Sequence, residues 1–394
     1  MNVVAAIVIG LAASTGIYIL FLGLLTIPIL QNHAIYLHAI KLTWGQDVNV
    51  PEQWGFLHNQ VTPFRLQTSD GESLHAWHIL PLEAYRTHEH VLGSEPSGST
   101  FDIEKRTSFQ ILRDDPDALL VVYLHGAGGT LASGHRPQSY RAIPAMAPEK
   151  IHIVSIDYRG FGTSTGTPSE QGLVTDAIAL ADWAMTIAGI PPERIVVFSQ
   201  SLGTAVAISL LRHLSQRSPP IYLRGLVMVA PFSDVKTLTS TYKVAGTIPI
   251  LSPLARFPFL MDFFAAFIQS KWSSRDTLVD FVRGCETSQD PTARYHVTAI
   301  HAKDDYDIPW SHSESLFWHA ISAAENTTRS EVELEKVKQR DRKSRGDGGW
   351  TVEKQYSKGV LRQHILEHGL HDWIMGYPAV SMAIWNAFLS QPST

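Results

Sequence analysis

Between residues 194 and 211 the chain reads RIVVFSQSLGTAVAISLL, and the character of this stretch changes at one residue. Up to residue 200 it is rich in β-branched and aromatic side chains, which is typical of a buried strand. From Leu202 onward alanine, leucine and other apolar residues favour a helix. Ser201 lies at the junction. The stretch therefore predicts a strand that turns directly into a helix at a serine.

Other parts of the chain repeat the same alternation of strand and helix. Continuous apolar runs, each typical of a strand buried on both faces, occur at residues 118–124, 151–158, 225–230 and 297–301. Residues 64–68 and 74–80 flank an Asp-Gly pair and predict a hairpin, and residues 169–188 have helical spacing. We therefore predict an α/β fold with a mostly parallel central sheet and helices on both faces.

The N-terminus is predicted to anchor the protein in a membrane. No charged side chain occurs between Val3 and Leu30, and about 20 apolar residues suffice to cross a bilayer core. A cleaved signal peptide is the alternative, but such peptides begin with basic residues, and no Lys or Arg precedes this stretch. We assign residues 1–30 to an N-terminal membrane anchor that crosses the bilayer once.

The rest of the chain divides into a linker and one large domain. Residues 31–60 are predicted to be a juxtamembrane linker, and residues 61–394 the folded domain. Within the domain we expect a loop at 85–116, a cap insertion at about 232–284 and a charged surface insertion at about 325–349.

The cap is predicted to contain an apolar, proline-broken run at residues 244–268. Its side chains are candidates for lining an acyl channel or contacting a membrane interface, with simple packing on the domain as the alternative. These side chains are Leu251, Leu254, Phe257, Phe259, Leu260, Phe263, Phe264 and Phe267.

Composition excludes several classes of protein. With 394 residues, 44% of them hydrophobic, the chain is not wholly disordered, and its net charge of −5 argues against a nucleic-acid partner. A single cysteine, Cys285, excludes an intrachain disulfide framework and a cysteine-rich zinc site. The glycine loops lack the G-x-G-x-x-G strand–turn–helix context. We therefore expect neither a cofactor nor a metal.

Two serines compete for the role of nucleophile. Residues 162–166 read GTSTG and match G-x-S-x-G, whereas residues 199–203 read SQSLG and depart from it at the first position. We nevertheless choose Ser201, because a strand-to-helix turn raises the serine hydroxyl above the sheet edge and points helix amides at a substrate. Ser164 lies in a loop that ends at Pro168, so we interpret it as a turn residue.

A serine nucleophile needs a base, and the base needs an orienting carboxylate. Where the serine lies on such a strand-to-helix turn, the acid and then the histidine follow it along the chain. Three carboxylates follow the predicted strand at 297–301, namely Asp304, Asp305 and Asp307. Three histidines in the last third qualify by position, namely His364, His368 and His371. Position alone leaves both choices open.

The anion formed on attack needs backbone donors. Residues 125–129, HGAGG, follow the first buried strand, where such a loop belongs. We predict the amides of Ala127 and Leu202 as the two donors of an oxyanion hole.

Four segments, taken together, resemble a known family. His125-Gly126, the segment 157–164, Ser201-Leu-Gly and the segment 305–309 occur in the order found in α/β-hydrolase domain-containing serine hydrolases. With its N-terminal anchor the chain is most similar to the monoacylglycerol lipase and lysophosphatidylserine lipase branch. The resemblance covers about residues 60–390.

The resemblance implies the remaining site residues. The family acid lies four residues before the proline of its D-x-x-V/I-P segment, which points to Asp305, and the family histidine precedes a proline and a terminal helix, which points to His371. It also implies that Asp157 and Arg159 are mainly structural.

The function implied is that of a membrane-anchored serine hydrolase with a Ser201-Asp305-His371 triad, acting on monoacylglycerols or lysophospholipids. Alternatives are a protein thioesterase (depalmitoylase), an esterase for small soluble esters, or a non-catalytic membrane scaffold. The family also implies the endoplasmic reticulum, and the sequon at Asn326 is consistent with a lumenal domain.

Overall fold

The computed structural model of the protein describes residues 3–243, 247, 254 and 256–389. Within these residues ten strands form one sheet: β1 Val61–Gln67, β2 Ser73–Ile79, β3 Leu119–Leu124, β4 Ile151–Ile156, β5 Ile195–Gln200, β6 Gly225–Val229, β7 Tyr295–Ala302, β8 Lys343–Ser344, β9 Trp350–Gln355 and β10 Gly359–Leu366.

The α-helices are α1 Val3–Leu24, α2 Pro28–Tyr36, α3 Leu82–Ser94, α4 Thr107–Asp114, α5 Arg136–Ala142, α6 Glu170–Asp182, α7 Leu202–Ser215, α8 Val235–Thr241, α9 Pro258–Ala265, α10 Ser274–Thr287, α11 Ser311–Ala324, α12 Glu331–Asp341 and α13 Pro378–Leu389. Short 3₁₀ turns occur at Pro51–Trp54, Ile103–Lys105, Ile143–Met146, Pro192–Arg194 and Trp373–Gly376, and a π turn at Trp183–Ile187.

The sheet is mostly parallel, as predicted. Its strand order is β1-β2-β4-β3-β5-β6-β7-β10-β9-β8. Strands β4, β3, β5, β6, β7 and β10 run parallel to their neighbours within this group. The antiparallel pairs lie toward the two edges. The carboxyl ends of the parallel strands therefore meet at one edge of the sheet, where α/β proteins place their sites.

Both faces of the sheet are covered, which explains the continuous apolar runs. On β3, Leu120 and Val122 pack into the cluster that contains α6, α7, α10 and α11. Val121 and Tyr123 point the other way and pack with α5 and α13. The predicted arrangement of helices on both faces is confirmed.

The structure contains elements that the sequence pattern did not indicate. Residues 85–116, expected as a loop, include most of α3 and all of α4. The apolar residues that these helices bury, such as Leu92 and Phe109, are widely spaced, so the sequence shows no clear helical pattern. Strands β8, β9 and β10 extend the sheet. On β10, buried Leu361, Gln363 and Ile365 alternate with partly exposed side chains, so the sequence shows no continuous apolar run at this strand.

The N-terminal helix α1 is long and apolar enough to cross a membrane, by length and composition. At 1.5 Å per residue it spans about 33 Å, and its apolar side chains are mostly exposed. Its last turn does not stand free, since Leu22 packs against Leu254 and Met261 beside α9. Within the predicted linker at 31–60, the second half of α2 and the turns after it pack on the domain.

The predicted cap region contains α8, α9 and most of α10. Leu254 and Met261 are buried, whereas Phe257, Phe259 and Phe263 are more than half exposed. Leu251 lies outside the described residues.

Candidate active site

The turn at Ser201 has the geometry expected between a strand and a helix. Strand β5 ends at Gln200, α7 begins at Leu202, and Ser201 between them has φ 52° and ψ −121°. Its N–H donates to the Val229 carbonyl at 3.0 Å, and its own carbonyl accepts from the Thr204 N–H at 2.9 Å. A non-glycine residue at positive φ is strained by about 1–3 kcal/mol and is kept there only when its surroundings impose it. The hydrogen bonds to Val229 and Thr204 therefore hold the sharp turn at the serine.

The residues that flank this turn are subject to different steric limits. A Cβ at Gly203 would lie 2.1 Å from the Leu124 carbonyl oxygen, so only glycine fits there. Ser199 is fully buried in β5, and its Oγ donates to the Val227 carbonyl on the next strand at 3.4 Å. A serine is thus accommodated at the position where the motif has glycine.

Ser164 has a structural role. Its Oγ donates to the Asp157 carbonyl at 2.7 Å and accepts from the His75 N–H at 2.9 Å. These bonds tie the glycine-rich loop to strand β2, and they engage the hydroxyl as both donor and acceptor. The geometry agrees with the interpretation of Ser164 as a turn residue.

Asp305 and His371 form a hydrogen-bonded pair at the carboxyl edge of the sheet. His371 Nδ1 lies 2.8 Å from Asp305 Oδ2. Asp305 Oδ1 accepts from the N–H groups of Asp307 and Ile308, both at 2.9 Å. The carboxylate side chain is fully buried, and the imidazole is 15% exposed. This is the arrangement in which a carboxylate fixes the tautomer of a histidine base.

A second histidine contacts the same carboxylate. His301 Nε2 donates to the Ile308 carbonyl at 2.9 Å and lies 3.2 Å from Asp305 Oδ2. Burial opposes ionisation of Asp305, but the hydrogen bonds from His301 and His371 and their charges hold its pKa well below the usual range. His301 was not among the predicted site residues, because its spacing of four residues from Asp305 indicates a contact only within a helix, and His301 lies in strand β7.

The other candidate acid, Asp304, shapes the loop that carries His371. Its Oδ1 accepts from the N–H groups of Gly369 and Leu370, both at 2.9 Å. Its Oδ2 lies 3.3 Å from Nδ1 of His368, whose side chain is 85% exposed. Asp304 thus holds the histidine loop against the end of β7 without contacting His371 itself.

The remaining candidate histidine belongs to a strand and not to the loop that carries His371. His364 lies within β10, and burial lowers its pKa to about 4, assisted by the charges of Arg362 and Arg345. The structure therefore pairs His371 with Asp305, whereas His368 faces Asp304 and His364 lies within β10.

His371 sits among three carboxylates. Burial lowers its pKa, but the hydrogen bond and charge of Asp305, together with the charges of Asp372 and Asp307, outweigh burial and raise the pKa to about 9. Ligand atoms of Asp305, Asp307 and His371 lie within 4.8 Å of one another. Because Asp305 and His371 already bond to each other, we describe this group as an acid–base pair and not as a metal site.

Gln200 connects the turn at Ser201 to the histidine loop. This buried residue precedes Ser201, and its Nε2 lies 3.2 Å from Asp372 Oδ1 and 3.5 Å from the His371 carbonyl. Among the described residues, Ser201 Oγ makes no hydrogen bond with His371. Such contacts are often long in ligand-free enzymes and tighten when substrate is bound.

The glycine loop after β3 lies directly beside Ser201. A Cβ added to Gly126 would be 3.1 Å from Ser201 Cβ. Buried Arg136 donates through Nη2 to the carbonyls of Gly126, Ala127 and Gly128 at 3.1, 3.3 and 3.0 Å. One guanidinium thus turns three successive carbonyls to the same side of the loop.

The orientation of these carbonyls determines where the N–H groups point. In a trans peptide the C=O and N–H are directed oppositely, so the Ala127 N–H points away from Arg136. The N–H groups of Gly128 and Gly129 donate to the carbonyls of Tyr36 and Ile40. Within the described part of the chain, the N–H groups of Ala127 and Leu202 have no protein acceptor. These are the two predicted oxyanion donors.

The residues that the family resemblance marks as structural do hold this region together. Asp157 Oδ1 accepts from the Leu131 N–H at 2.6 Å. Arg159 pairs with Asp70 at 2.7 Å and with buried Asp176 at 2.8 Å. Asp157 thus supports the loop after β3, and Arg159 ties its own loop to α6 and to the turn between β1 and β2.

Comparison with known proteins gives a consistent result. Residues 121–337 match the alpha/beta hydrolase family. Lysophosphatidylserine lipase ABHD12 of Xenopus tropicalis is 27% identical over 309 residues, which cover 77% of this chain and 69% of that protein. Its counterpart in Danio rerio is 30% identical over 223 residues, covering 56% of this chain and 52% of that protein.

A human relative and a solved structure extend the comparison. Protein ABHD12B of Homo sapiens is 27% identical over 297 residues, covering 75% of this chain and 71% of that protein. The crystal structure of an alpha-beta hydrolase from Vibrio vulnificus superposes with a TM-score of 0.50 at 16% identity, covering 79% of this chain and 91% of that one. At this identity the likeness concerns the fold alone.

Proposed function

Since the chain belongs to the alpha/beta hydrolase family and is a carboxylic ester hydrolase, we propose that it cleaves the acyl ester of lysophospholipids with Ser201, His371 and Asp305 as its catalytic triad. The observation that carries the proposal is the 2.8 Å bond between His371 Nδ1 and Asp305 Oδ2. This pair lies at the sheet edge where the Ser201 turn also lies. The substrate class is supported by the relatives named lysophosphatidylserine lipases.

In the proposed acylation step Ser201 Oγ bonds to the ester carbonyl carbon. His371 Nε2 takes the hydroxyl proton, and Asp305 stabilises the imidazolium that forms. The Ala127 and Leu202 amides donate to the developing oxyanion. When the carbon–oxygen bond to the glycerol breaks, His371 returns the proton to the leaving alkoxide.

In the second step water replaces the serine. His371 Nε2 takes a proton from water, whose oxygen bonds to the acyl carbon, and the bond to Ser201 Oγ breaks. The proton passes to Ser201, and the fatty acid leaves. Both steps require His371 to be neutral at the start.

Apolar surface near the N-terminus supports a membrane-bound lipid substrate. We propose that α1 is a membrane anchor, since it is long and apolar enough to span. Phe259, 69% exposed, belongs to α9, whose Met261 packs with Leu22 at the end of this helix. Large exposed apolar side chains in a group mark a contact surface. This arrangement gives the enzyme access to single-chain lipids held in a bilayer.

We also propose that the domain lies in the lumen of the endoplasmic reticulum. Asn326, the sequon residue, is exposed directly after α11. Treatment of the cellular protein with a glycosidase is expected to increase its mobility on gels, and the Asn326→Gln variant is expected to show no such change. A wild-type protein that is insensitive to glycosidase would contradict the lumenal assignment.

The decisive experiment is a substrate panel on the purified full-length protein in detergent micelles. The panel contains lysophosphatidylserine, lysophosphatidylcholine, monoacylglycerol, a palmitoylated peptide thioester and a short soluble ester. We expect the highest kcat/KM on a lysophospholipid. A preference for the thioester or the soluble ester would replace the proposed substrate class.

Labelling with a fluorophosphonate tests the nucleophile in the same preparation. We expect one labelled peptide, containing Ser201, and loss of ester hydrolysis in proportion to labelling. Label on the peptide that contains Ser164 would contradict the triad. Absence of both labelling and hydrolysis would favour a non-catalytic scaffold.

A further inference from the structure

The segment at residues 28–41, which follows α1, contacts the oxyanion loop at residues 126–133 through its main chain. The Gly128 N–H donates to the Tyr36 carbonyl at 2.9 Å, and the Gly129 N–H donates to the Ile40 carbonyl at 2.7 Å. Ser133 Oγ donates to the Lys41 carbonyl at 2.8 Å. The segment therefore pairs with this loop on the side opposite to Arg136.

The same segment is fastened to the cap by buried side chains. Gln31 Nε2 donates to the Phe267 carbonyl at 2.8 Å, and its Oε1 accepts from the Gln269 N–H at 3.0 Å. The Tyr36 hydroxyl donates to Ser270 Oγ at 2.7 Å. Gln31 is 7% exposed and Tyr36 is fully buried. Segment 28–41 thus bridges the cap and the oxyanion loop.

We propose, on the basis of the proposed function, that segment 28–41 positions the oxyanion hole. The two peptides that follow Ala127 have their carbonyl oxygens held by Arg136 and their N–H groups held by the carbonyls of Tyr36 and Ile40 in the segment. Gly128 and Gly129 both adopt positive φ, 67° and 70°. Unclamped glycines have the greatest conformational freedom of any residue, so holding Gly128 and Gly129 restricts the loop in which Arg136 orients the Ala127 N–H through the Gly126 carbonyl.

The consequence concerns the role of the chain between the membrane helix and the domain. Oxyanion donors act by being fixed before the reaction begins. A segment that fixes one of them contributes to kcat, even for a substrate that never enters a membrane. Residues 28–41 are therefore a positioning element of the active site as well as a connection to α1.

The test uses the full-length protein with a short-chain nitrophenyl ester in detergent. We compare Gln31→Leu and Tyr36→Phe, which release the segment from the cap, with Gln46→Leu and Tyr85→Phe as matched controls. Gln46 is exposed further along the same chain, and Tyr85 packs in a separate cluster. We expect kcat to fall about tenfold in the first pair, less than the loss of a whole oxyanion donor, with KM changed less than about twofold and both controls at wild-type values.

Inhibitors separate positioning from general damage. A trifluoromethyl ketone forms a tetrahedral oxyanion with the nucleophile, whereas the matched secondary alcohol does not. We expect Gln31→Leu and Tyr36→Phe to weaken the ketone about tenfold and leave the alcohol unchanged. The double variant Tyr36→Phe with Ser270→Ala is expected to match Tyr36→Phe alone, because both changes remove one bond.

The outcomes are distinguishable. Wild-type kcat in both variants, or equal weakening of the ketone and the alcohol, overturns the positioning role and leaves the proposed function standing. If Gln31→Leu fails to fold, Tyr36→Phe, which removes a single hydroxyl, decides the question. Absence of ester hydrolysis by the wild-type protein overturns the proposed function and this inference together.

Discussion

Two loops of this protein carry a serine in nearly the same motif, and the structure uses them differently. The loop at 162–166 has both glycines of G-x-S-x-G, yet the Ser164 hydroxyl is bonded to the main chain at Asp157 and His75. The loop at 199–203 lacks the first glycine, yet Ser201 lies between a strand and a helix at φ 52°.

The difference teaches that local geometry, and not the motif letters, determines which serine can react. At Ser164 a hydroxyl and a carbonyl satisfy each other, which stabilises a turn by about 1 kcal/mol. At Ser201 the backbone is strained and held by Val229 and Thr204, so the hydroxyl is displayed at the sheet edge. A stabilising role and a reactive role place opposite demands on the same side chain.

The largest expected effect distinguishes the two serines directly. Ser201→Ala is expected to lower kcat by about 10⁵-fold or more. Ser164→Ala is expected to retain kcat within about twofold and to lose about 1–2 kcal/mol of unfolding free energy, because the His75 N–H loses its acceptor. Ester hydrolysis and urea denaturation of both variants measure these values. Retained activity in Ser201→Ala would reverse the assignment of the two loops.

The next effect concerns the hydrogen-bonded pair of Asp305 and His371. The Ser164 hydroxyl, in contrast, bonds to main-chain groups. Asp305→Asn is expected to lower kcat about 10⁴-fold, because the amide no longer fixes the imidazole tautomer. Asp304→Asn keeps an oxygen for the Gly369 and Leu370 amides and is expected to cost no more than about tenfold. A larger loss in Asp304→Asn than in Asp305→Asn would show that the wrong carboxylate has been chosen.

Much of this arrangement was predictable from sequence, because it depends on local signals. A buried strand followed by a helix shows in residue type over a dozen positions, so the turn at Ser201 and the five parallel strands first predicted were found. Strand β10 is less evident in the sequence, because Arg362 and His364 interrupt its apolar positions while their side chains lie partly exposed.

The supporting contacts were not predictable, since they join residues far apart in the chain. Gln200 contacts Asp372, and Arg136 gathers the carbonyls of the glycine loop. The Tyr36 and Ile40 carbonyls act through the main chain, so no side-chain pattern records them. Only the folded arrangement shows that the predicted linker reaches the oxyanion loop.

A smaller expected effect is the dependence of kcat/KM on pH, which His371 determines. Because the carboxylates around His371 raise its pKa to about 9, most of this base is protonated at pH 7 and cannot accept the Ser201 proton. We expect kcat/KM to rise about a hundredfold from pH 7 to above pH 9. Asp372→Asn removes one exposed negative charge and is expected to lower the midpoint by about half a pH unit. A wild-type midpoint near pH 6.5 would contradict the effect of the carboxylates.

As pH rises, the free energy of unfolding is expected to fall, whereas kcat/KM is expected to rise. A histidine whose pKa is raised on folding stabilises the protein below its ordinary pKa of 6.5, and this contribution is lost as pH rises through about 9. Urea midpoints measured across this window in wild type and in His371→Gln test the linkage. The variant is expected to show the weaker dependence on pH.

The smallest expected effect lies at the position where the reactive loop departs from the motif. Ser199 is buried, and its Oγ reaches the Val227 carbonyl at 3.4 Å, which is a long hydrogen bond. Ser199→Gly restores the motif, adds backbone freedom to a central strand and is expected to cost about 1 kcal/mol of unfolding free energy. Because the serine side chain is directed at β6 and not at Ser201, kcat is expected to change by less than about twofold. A tenfold gain in kcat would mean instead that Ser199 restrains the turn, and the two loops would then differ by crowding as well as by fold.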